Sequence, residues 1–303
     1  GAGGFIGSHL VEYLLSQGQV VVGIDNFITG NTSRVNYCKG LGGDYTFFEG
    51  DICNQDVVNN VSSGCEYVLH QAALGSVPRS VAEPTPSFAN NVLGFSVVAE
   101  AAKNNGIRRM VYASSSSVYG DDASKSKVES RIGRCLSPYA ATKRSNEVMA
   151  DSFKNCWSLD IVGLRYFNVF GARQDPNGAY AAVIPRWLLA MKEGRTCTIF
   201  GDGETSRDFC HVSNVVQANV RAALCAKQIS GEVYNIAVGT TTTLTDLHKA
   251  MAASVEIVTD KAIRPARPQY EDFRVGDIRH SLACIDKAKL DLGYTPTTRL
   301  EEG

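Results

Sequence analysis

A tyrosine and a lysine four positions apart stand in the segment SPYAATKRSNE, residues 137–147. The segment has a helical composition, and four residues of a helix turn through about 400°, so Tyr139 and Lys143 would point from nearly the same face. An ammonium near a phenol stabilises the phenolate and lowers the tyrosine pKa. Such a phenolate can remove a hydroxyl proton while a hydride leaves the same carbon for a nicotinamide. A pair of this kind also arises by accident on a surface, so its surroundings decide its meaning.

A run of serines supports the catalytic interpretation of this pair. The sequence ASSSSVYG, residues 113–120, overlaps the end of a predicted strand at 109–115. Parallel sheets bind ligands at the carboxyl ends of their strands, so we expect these hydroxyls to face the same crevice as Tyr139 and Lys143. Four consecutive serines are unfavourable in a core or a helix, and a polar substrate site explains them better.

The glycine-rich start, GAGGFIG, predicts a dinucleotide site. Gly1, Gly4 and Gly7 precede a helix-like segment, where glycine lets the backbone approach a pyrophosphate and the helix N-terminus supplies amide donors. The next strand ends at Asp25, 18 residues beyond Gly7. A carboxylate there can hydrogen-bond both ribose hydroxyls and would repel a 2′-phosphate, which favours NAD over NADP. Arg34 weakens this preference slightly, because a guanidinium can hold a phosphate.

The elements that must position these residues alternate between strands and helices, as in a parallel sheet. Strands are predicted at 19–25, 45–51, 66–72, 109–115 and 160–168, and helices at 5–18, 86–106 and 137–155. The second strand ends in GDI, which places Asp51 and Ile52 where an adenine edge would lie. We predict an α/β fold with a doubly wound parallel sheet of the Rossmann type, followed by a smaller domain after a boundary near 168–172.

Composition excludes several classes of protein. The 303 residues carry a formal net charge of -1, which gives no sign of a nucleic-acid or membrane-surface partner. No uninterrupted apolar run approaches the roughly 18 residues of a membrane span. The nine cysteines are scattered without a CxxC pair, which argues against a metal site or a disulfide framework. They favour free thiols in a reducing, cytoplasmic compartment.

The chain opens directly on the glycine turn, without the strand that normally precedes such a turn, and it stops in what resembles the first turn of a helix. We therefore expect a preceding strand in the complete protein. That strand would lie at the centre of the sheet and be buried on both faces. Without it we expect poor folding or weak NAD retention, because many kcal/mol of burial would be lost.

Several motifs together resemble a known family. The glycine turn, Asp25, the serine run and the Tyr139–Lys143 pair resemble an extended short-chain dehydrogenase/reductase. The segments LRYFNVFGARQDPNGAYAAVIP, GDGETSRDFCHV, YNIAVG and DFRVGDIRHS resemble the nucleotide-sugar 4-epimerases, and the similarity covers essentially the whole chain. The segments HQAALGSVPRSV and RQDPNGAYAAVIP most resemble the bacterial subgroup that acts on UDP-N-acetylglucosamine and its uronic acid. The resemblance implies an NAD-binding domain at 1–170 and a mainly UDP-sugar-binding domain at 171–303, with some interleaved segments.

The resemblance also implies roles for matching residues. Tyr139 would be the acid/base, Lys143 would hold the nicotinamide ribose, and Ser115, Ser116 and Ser117 would bind the sugar and shuttle the proton, with no ranking among them. The residues that would bind the cofactor are Gly1, Gly4, Phe5, Ile6, Gly7, Asp25, Asn26, Asp51, Ile52, Gln71, Ala72, Ala73, Asn91, Tyr139, Lys143 and Tyr166. Those that would contact the sugar nucleotide are Gly75, Ser76, Ser115, Asn168, Arg207, Arg274, Asp277 and Ser281.

Within the substrate set, the resemblance implies that Arg207 and Arg274 clamp the diphosphate, which suits guanidinium fork geometry. Asn168 would hold the first phosphate and Asp277 the uridine ribose. Ser281, four residues past Asp277, matches a position that gates the hexose pocket by size. A tyrosine there resembles enzymes for unsubstituted sugars, and a small residue resembles those that admit a 2-acetamido group. An exposed strand position is the structural alternative for Ser281.

The implied reaction is NAD-dependent 4-epimerisation of UDP-N-acetylhexosamines through a transient 4-keto sugar, with NAD held as a prosthetic group. The alternatives are a UDP-glucose 4-epimerase, a 4,6-dehydratase, a uronate decarboxylase or a non-catalytic NAD-binding relative. Serines stand where dehydratases carry an acidic pair, and both Tyr139 and Lys143 are present, which favours an epimerase. The helices near 90–104 and 141–153 are expected to form the interface of a homodimer.

Overall fold

The computed structural model describes residues 1–177, 181–273 and 279–303. Its strands are β1 Val21–Asp25, β2 Tyr45–Glu49, β3 Tyr67–His70, β4 Arg109–Ser115, β5 Ser126–Lys127, β6 Ile161–Tyr166, β7 Val169–Phe170, β8 Thr198–Phe200, β9 Ser206–Arg207, β10 Cys210–His211, β11 Val233–Ile236, β12 Thr242–Thr243, β13 Gln269–Glu271 and β14 His280–Ala283. Its helices are α1 Phe5–Ser16, α2 Thr32–Gly40, α3 Gln55–Ser62, α4 Val77–Ala82, α5 Pro84–Phe88, α6 Gly94–Asn104, α7 Pro138–Trp157, α8 Val183–Lys192, α9 Val212–Leu224, α10 Leu244–Val258 and α11 Asp286–Leu292. A π-helical turn, Ala89–Leu93, joins α5 to α6, and a 3₁₀ turn, Ser116–Tyr119, follows β4.

The sheet that carries the site consists of four parallel strands in the order β11-β6-β4-β3. Strands β1 and β2 form a second parallel pair, in which Asp25 lies opposite Glu49. The carboxyl ends of β4 and β6 are in register, with Ser115 opposite Tyr166. All five strands predicted from the first half of the sequence are present. The expected strand before Gly1 lies outside the sequence and stays a prediction.

Helices cover this sheet on both faces because β4 is apolar on both sides. Met110 and Tyr112 face the core beneath α6 and α7, where they meet Phe95. Val111 and Ala113 point the other way, into the core beneath α9. Alternate residues of a strand point to opposite faces, so an unbroken apolar run predicts a sheet buried on both sides.

The second half of the chain contributes to two regions. Short strands form a sheet in the order β12-β9-β14-β5 and the pairs β7–β10 and β8–β13, with a separate core between α8 and α10. However, α9 and β11 return to the first region, where β11 pairs with β6. The boundary near residue 170, with interleaved segments, stays a prediction.

Within the described ranges, no helix combines the length and the apolar character that crossing a bilayer requires. The nine cysteines are all free thiols, and Cys38, Cys197 and Cys210 are buried.

Candidate active site

The N-terminus of α7 brings Tyr139 to the end of β4. Ser137 caps the helix by accepting a hydrogen bond from the Ala140 amide at 3.1 Å, and Pro138 occupies the first turn. The Tyr139 amide donates to Ser80 Oγ at 2.9 Å. The side chain of Ser115 lies near the phenol, where its hydrogen-bonding influence lowers the pKa of Tyr139. The predicted serine run and the tyrosine therefore share one site, and among the three candidate serines it is Ser115 that affects the pKa of the phenol.

Lys143 lies one turn further along α7 and is 2% exposed. Its ammonium donates to the carbonyl oxygen of Ala113 at 2.7 Å, and burial lowers its pKa to about 8. Burial raises the pKa of Tyr139, and the hydrogen bond with Ser115 opposes that rise. The predicted direction for the Tyr139 pKa is thus wrong for this structure, because the ammonium is directed at the strand carbonyl and desolvation of the phenol dominates.

The sequence predicted that all the serine hydroxyls face the crevice, and this is wrong for at least one of them. Ser114 Oγ is buried and donates to Glu147 Oε1 at 2.7 Å, on the opposite side of β4 from Ser115. Ser116 and Ser117 begin the 3₁₀ turn, which Ser115 Oγ caps by accepting from the Ser117 amide at 3.2 Å. The hydroxyl of Ser117 is buried and has no hydrogen-bond partner.

The glycine turn has the shape that a dinucleotide requires. A Cβ on Gly7 would overlap the carbonyl oxygen of Gly1, and a Cβ on Gly1 would lie 2.6 Å from the Ala72 nitrogen. No side chain caps the N-terminus of α1, so its first amides are available to an anion. The predicted residues Phe5 and Ile6 supply two of these amides. The residues present therefore fit the pyrophosphate of NAD.

A cleft with an empty volume of about 470 Å³ extends from this turn across the ends of β1 and β3. Half of the predicted cofactor residues line it: Gly1, Gly4, Asp25, Asn26, Ile52, Gln71, Ala72 and Ala73. The cleft also includes residues that sequence reasoning missed, namely Ile28, Thr29, Gly50, Leu74 and Asn90. Most of these follow a strand end within a few residues, which is the signal that could have found them.

Asp25 is held in place by the backbone around it. Its carboxylate accepts hydrogen bonds from the Gly3 amide at 2.9 Å and the Phe27 amide at 2.8 Å. Because a carboxylate has further acceptor positions, Asp25 can still receive ribose hydroxyls at the edge of the cleft. Asp51 is more exposed and accepts from the Asn26 amide group at 3.2 Å and from the Cys53 amide.

Two other predicted cofactor residues lie in a closed triangle of side-chain hydrogen bonds. Tyr166 donates to Gln71 at 3.0 Å, Gln71 donates to Asn219 at 3.0 Å, and Asn219 donates to the Tyr166 oxygen at 2.9 Å. Asn219 was not predicted, since it lies 148 residues from Gln71 on α9. The triangle joins α9 to the ends of β3 and β6.

Asn91 acts as a connector beneath the cleft. It is 1% exposed and lies in the π-helical turn. Its side chain accepts from the Leu74 amide at 2.8 Å and donates to Thr142 Oγ1 at 3.0 Å. Thr142 is on α7 beside Lys143, so Asn91 ties the cleft wall to the helix that carries the catalytic pair.

The described substrate candidates fall into two groups. Ser76 caps α4 by accepting from the Arg79 amide at 3.2 Å, with Gly75 before it in an exposed loop. Arg207 and Ser281 are direct neighbours across the β9–β14 pair. Arg274 and Asp277 lie outside the described residues, so the structure says nothing of them.

Asp208 connects the second group and was missed by the sequence reasoning. Its carboxylate is buried and accepts from the amides of Val238 and Gly239, both at 2.9 Å, while burial raises its pKa to about 6. Its amide donates to the Ser281 carbonyl at 3.1 Å, and its carbonyl accepts from the Asn168 side chain at 3.1 Å. The family resemblance pointed to its neighbour Arg207 but not to Asp208.

Comparisons with known proteins match this architecture. A model of the NAD dependent epimerase/dehydratase family matches residues 1–237. The UDP-glucose 4-epimerase of Mycolicibacterium smegmatis is 36% identical over 305 residues, which span 100% of this chain and 94% of the relative. The UDP-N-acetylglucosamine 4-epimerase of Methanobrevibacter ruminantium, solved with UDP-N-acetylmuramic acid, has a TM-score of 0.88 and 38% identity, over 97% of this chain and 90% of that chain.

A third relative is known with its cofactor. The UDP-glucuronic acid 4-epimerase of Bacillus cereus, solved with UDP-glucuronic acid and NAD, has a TM-score of 0.87 and 32% identity, over 100% of this chain and 94% of that chain. The resemblance identified from the motifs is confirmed. The glycine turn and the cleft at Asp25 are the features that suit NAD. The chain belongs to the NAD-dependent epimerase/dehydratase family, and NAD is its cofactor.

Proposed function

We propose that the protein is a UDP-sugar 4-epimerase whose preferred substrates are UDP-N-acetylhexosamines, with the corresponding uronic acids as further candidates. The identity over 97 to 100% of the chain to 4-epimerases of three UDP-sugars supports the reaction class. A cytoplasmic location is proposed with it, in keeping with nine free thiols.

The chemistry is assigned to three residues at the ends of β4 and α7. When bound in the cleft at Gly1 and Asp25, NAD would supply the hydride acceptor and donor for C4 of the sugar, which would pass through a transient 4-keto form. Tyr139 removes the proton of the C4 hydroxyl and later gives it back. Ser115, whose side chain lowers the pKa of Tyr139, orients the phenol and can relay the proton. Lys143, whose ammonium binds the Ala113 carbonyl in this structure, would hold the nicotinamide ribose.

The substrate assignment rests on Ser281. The residue is half-buried and pairs with Arg207, the described member of the proposed diphosphate clamp. A serine at this position leaves room for a 2-acetamido group, whereas a tyrosine would fill the same space. This small side chain beside Arg207 is the single observation that carries the preference for acetamido sugars.

The test is to incubate the purified protein separately with UDP-glucose, UDP-N-acetylglucosamine and UDP-N-acetylglucosaminuronic acid, and to follow the anomeric proton signals by NMR. New galacto signals chiefly from the two acetamido substrates are expected. Conversion of UDP-glucose alone would overturn the substrate assignment and leave the reaction class intact. A stable keto product, a decarboxylated product or no galacto signal would overturn the 4-epimerase assignment.

A homodimer is proposed as the working state. Large apolar side chains are exposed on adjoining parts of α4, α5, the π-helical turn and α7, namely Val81, Phe88, Leu93 and Val148. Exposed apolar patches of this kind mark interfaces more often than isolated surface residues do. Two of the residues lie in the helices from which the sequence predicted the interface.

A further inference from the structure

A buried ion pair lies behind the proposed catalytic residues. Glu147 on α7 and Arg165 on β6 are 6% and 1% exposed. The Arg165 guanidinium donates from Nε to Glu147 Oε1 at 2.8 Å and from Nη2 to Oε2 at 2.9 Å. This is the bidentate geometry that only arginine offers to a carboxylate.

The ion pair also holds the strand and the turn that carry the serines. Ser114 Oγ on β4 donates to Glu147 Oε1 at 2.7 Å. Arg165 Nη1 donates to the Tyr119 hydroxyl at 3.0 Å, at the end of the 3₁₀ turn, and the guanidinium lies 4.9 Å from the centre of the Tyr119 ring. Arg144, on the more exposed side of α7, donates to Glu147 Oε2 at 3.0 Å. One carboxylate thus joins α7, β4 and β6, and through Arg165 the 3₁₀ turn as well.

Each contact stands next to a residue of the proposed chemistry. Glu147 is one helical turn beyond Lys143, and Ser114 directly precedes Ser115. Lys143 itself binds the carbonyl oxygen of Ala113 on the same strand. The ion pair therefore fixes α7 against β4 at the place where Ser115 must meet the phenol.

Energetics favour a positioning role over a purely stabilising one. Burial raises the pKa of the Glu147 carboxyl, but the hydrogen bonds and charge of Arg165 outweigh it, so the pKa lies below its usual value. A buried ion pair often stabilises a fold no better than apolar residues of the same volume would. What the pair supplies beyond bulk is a fixed direction for each of its partners.

We propose that Glu147 and Arg165 are positioning residues for the 4-epimerase reaction, holding Ser115 and Lys143 in register with Tyr139. The inference rests on the proposed function. Catalysis is sensitive to such positioning, because a displacement of about 1 Å can lower a rate by roughly 100-fold.

The chain offers a matched control at the other end of the same two strands. Arg109 begins β4 and pairs with Asp160, just before β6, at 2.8 Å. Arg109 also donates to the carbonyl oxygens of Ala222 and Cys225 at the end of α9, at 2.8 and 2.7 Å. This pair joins strands and a helix as the first one does, but at the amino ends of the strands, away from the ligand edge.

The experiment compares Glu147→Gln with Asp160→Asn in the NAD-loaded enzyme. Both variants should lower the melting temperature. Only Glu147→Gln should lower kcat, by about 10- to 100-fold, with KM changed by no more than about twofold. Its pH–rate profile should also shift its acidic limb to higher pH, because the hydrogen bond with Ser115 that lowers the Tyr139 pKa is weakened. If Glu147 only stabilised the fold, the acidic limb of the pH–rate profile would not shift.

A second variant keeps the inference testable if Glu147→Gln does not fold. Arg165→Lys retains the charge but cannot make the bidentate contact and the Tyr119 contact together, so an intermediate fall in kcat is expected. Wild-type kcat and an unshifted acidic limb in the folded variants would overturn the positioning role.

Tyr139→Phe distinguishes the acid/base role of Tyr139 from the positioning role of Glu147 and Arg165. If it retains wild-type 4-epimerase activity, the acid/base role of Tyr139 is wrong, whereas the absence of a galacto product from the wild type would overturn the proposed function itself. If it abolishes activity while Glu147→Gln and Arg165→Lys keep wild-type kcat, only the positioning role is wrong.

Discussion

At the scale of single residues, the reactivity of Tyr139 is set by opposing influences. Burial raises the pKa of the phenol, and its hydrogen bond with Ser115 lowers it. Lys143 is held by the Ala113 carbonyl and has a pKa lowered to about 8 by burial. A general base works best when its pKa is near the operating pH, so the phenol depends on its neighbours for activation.

Ser281 allows the substrate assignment to be tested by a single substitution. In Ser281→Tyr the larger ring should fill the space proposed for the acetamido group, so kcat/KM for UDP-N-acetylglucosamine should fall by at least about tenfold relative to UDP-glucose. Steady-state kinetics on both substrates measures this ratio. Ser281→Ala keeps the pocket open and should preserve the wild-type ratio. An unchanged ratio in Ser281→Tyr would show that the position does not gate the pocket.

His70 predicts a pH dependence of stability. The ring is 5% exposed and its Nε2 has no hydrogen-bond partner, and burial followed by the charge of Lys143 lowers its pKa to about 3. The unfolded chain binds a proton on His70 below roughly pH 6.5, whereas the folded chain does not until near pH 3. This contribution to stability is therefore complete above pH 6.5 and is lost as the pH falls.

The variant His70→Phe lacks the titrating ring, so its stability should not show this fall as the pH is lowered. Between pH 6.5 and 5 the free energy of unfolding of the wild type should fall by about 2 kcal/mol more than that of the variant. Urea unfolding at each pH measures the difference. His280→Phe, which replaces an exposed ring, should follow the wild type. Parallel curves for wild type and His70→Phe would contradict the assignment.

The sequence could identify some of these residues and not others for a physical reason. Tyr139 and Lys143 were found because both lie on one helix and their spacing is local. Ser115 could not be separated from Ser116 and Ser117, since only the fold decides which hydroxyl meets the phenol. Asp208 acts through backbone amides 30 and 31 residues away and has no local pattern of its own.

At the scale of elements, α7 was predictable from its helical composition and β4 from its unbroken apolar run. The 3₁₀ turn at Ser116–Tyr119 and the π-helical turn at Ala89–Leu93 were not. Serines disfavour helix interiors, yet the Ser115 hydroxyl caps the short turn and makes it favourable there. The π-helical turn depends on the tertiary contacts of Asn91, which propensities do not describe.

The cap of α7 gives a prediction for this element. Ser137→Ala removes the acceptor for the Ala140 amide, so the free energy of unfolding should fall by about 1 kcal/mol. Because this turn carries Tyr139, kcat should fall as well. Asn54→Ala removes the cap of α3 and should reduce stability by a similar amount without the change in kcat. Chemical denaturation and steady-state kinetics check both, and equal kcat values would contradict a link between the cap and Tyr139.

At the scale of the whole molecule, the site depends on contacts between distant parts of the chain. Gln71 donates to Asn219 on α9, 148 residues away, and Asn219 in turn donates to Tyr166. The family resemblance anticipated interleaved segments, but a sequence pattern does not specify which side chains join them. The cleft proposed for NAD and the residues around Ser281 are therefore brought together by tertiary contacts.

The homodimer can be tested on the exposed apolar patch of α4, α5, the π-helical turn and α7. Val148 is 56% exposed on α7, and a charge placed there would have to be desolvated in a paired interface. We expect the wild type to sediment at about twice the chain mass of 32.7 kDa and Val148→Glu to shift to a single chain. Leu290, on α11, is 75% exposed outside the patch, so Leu290→Glu should stay dimeric. Analytical ultracentrifugation measures the mass of each variant. A monomeric wild type would contradict the homodimer, and a dimeric Val148→Glu would place the interface elsewhere.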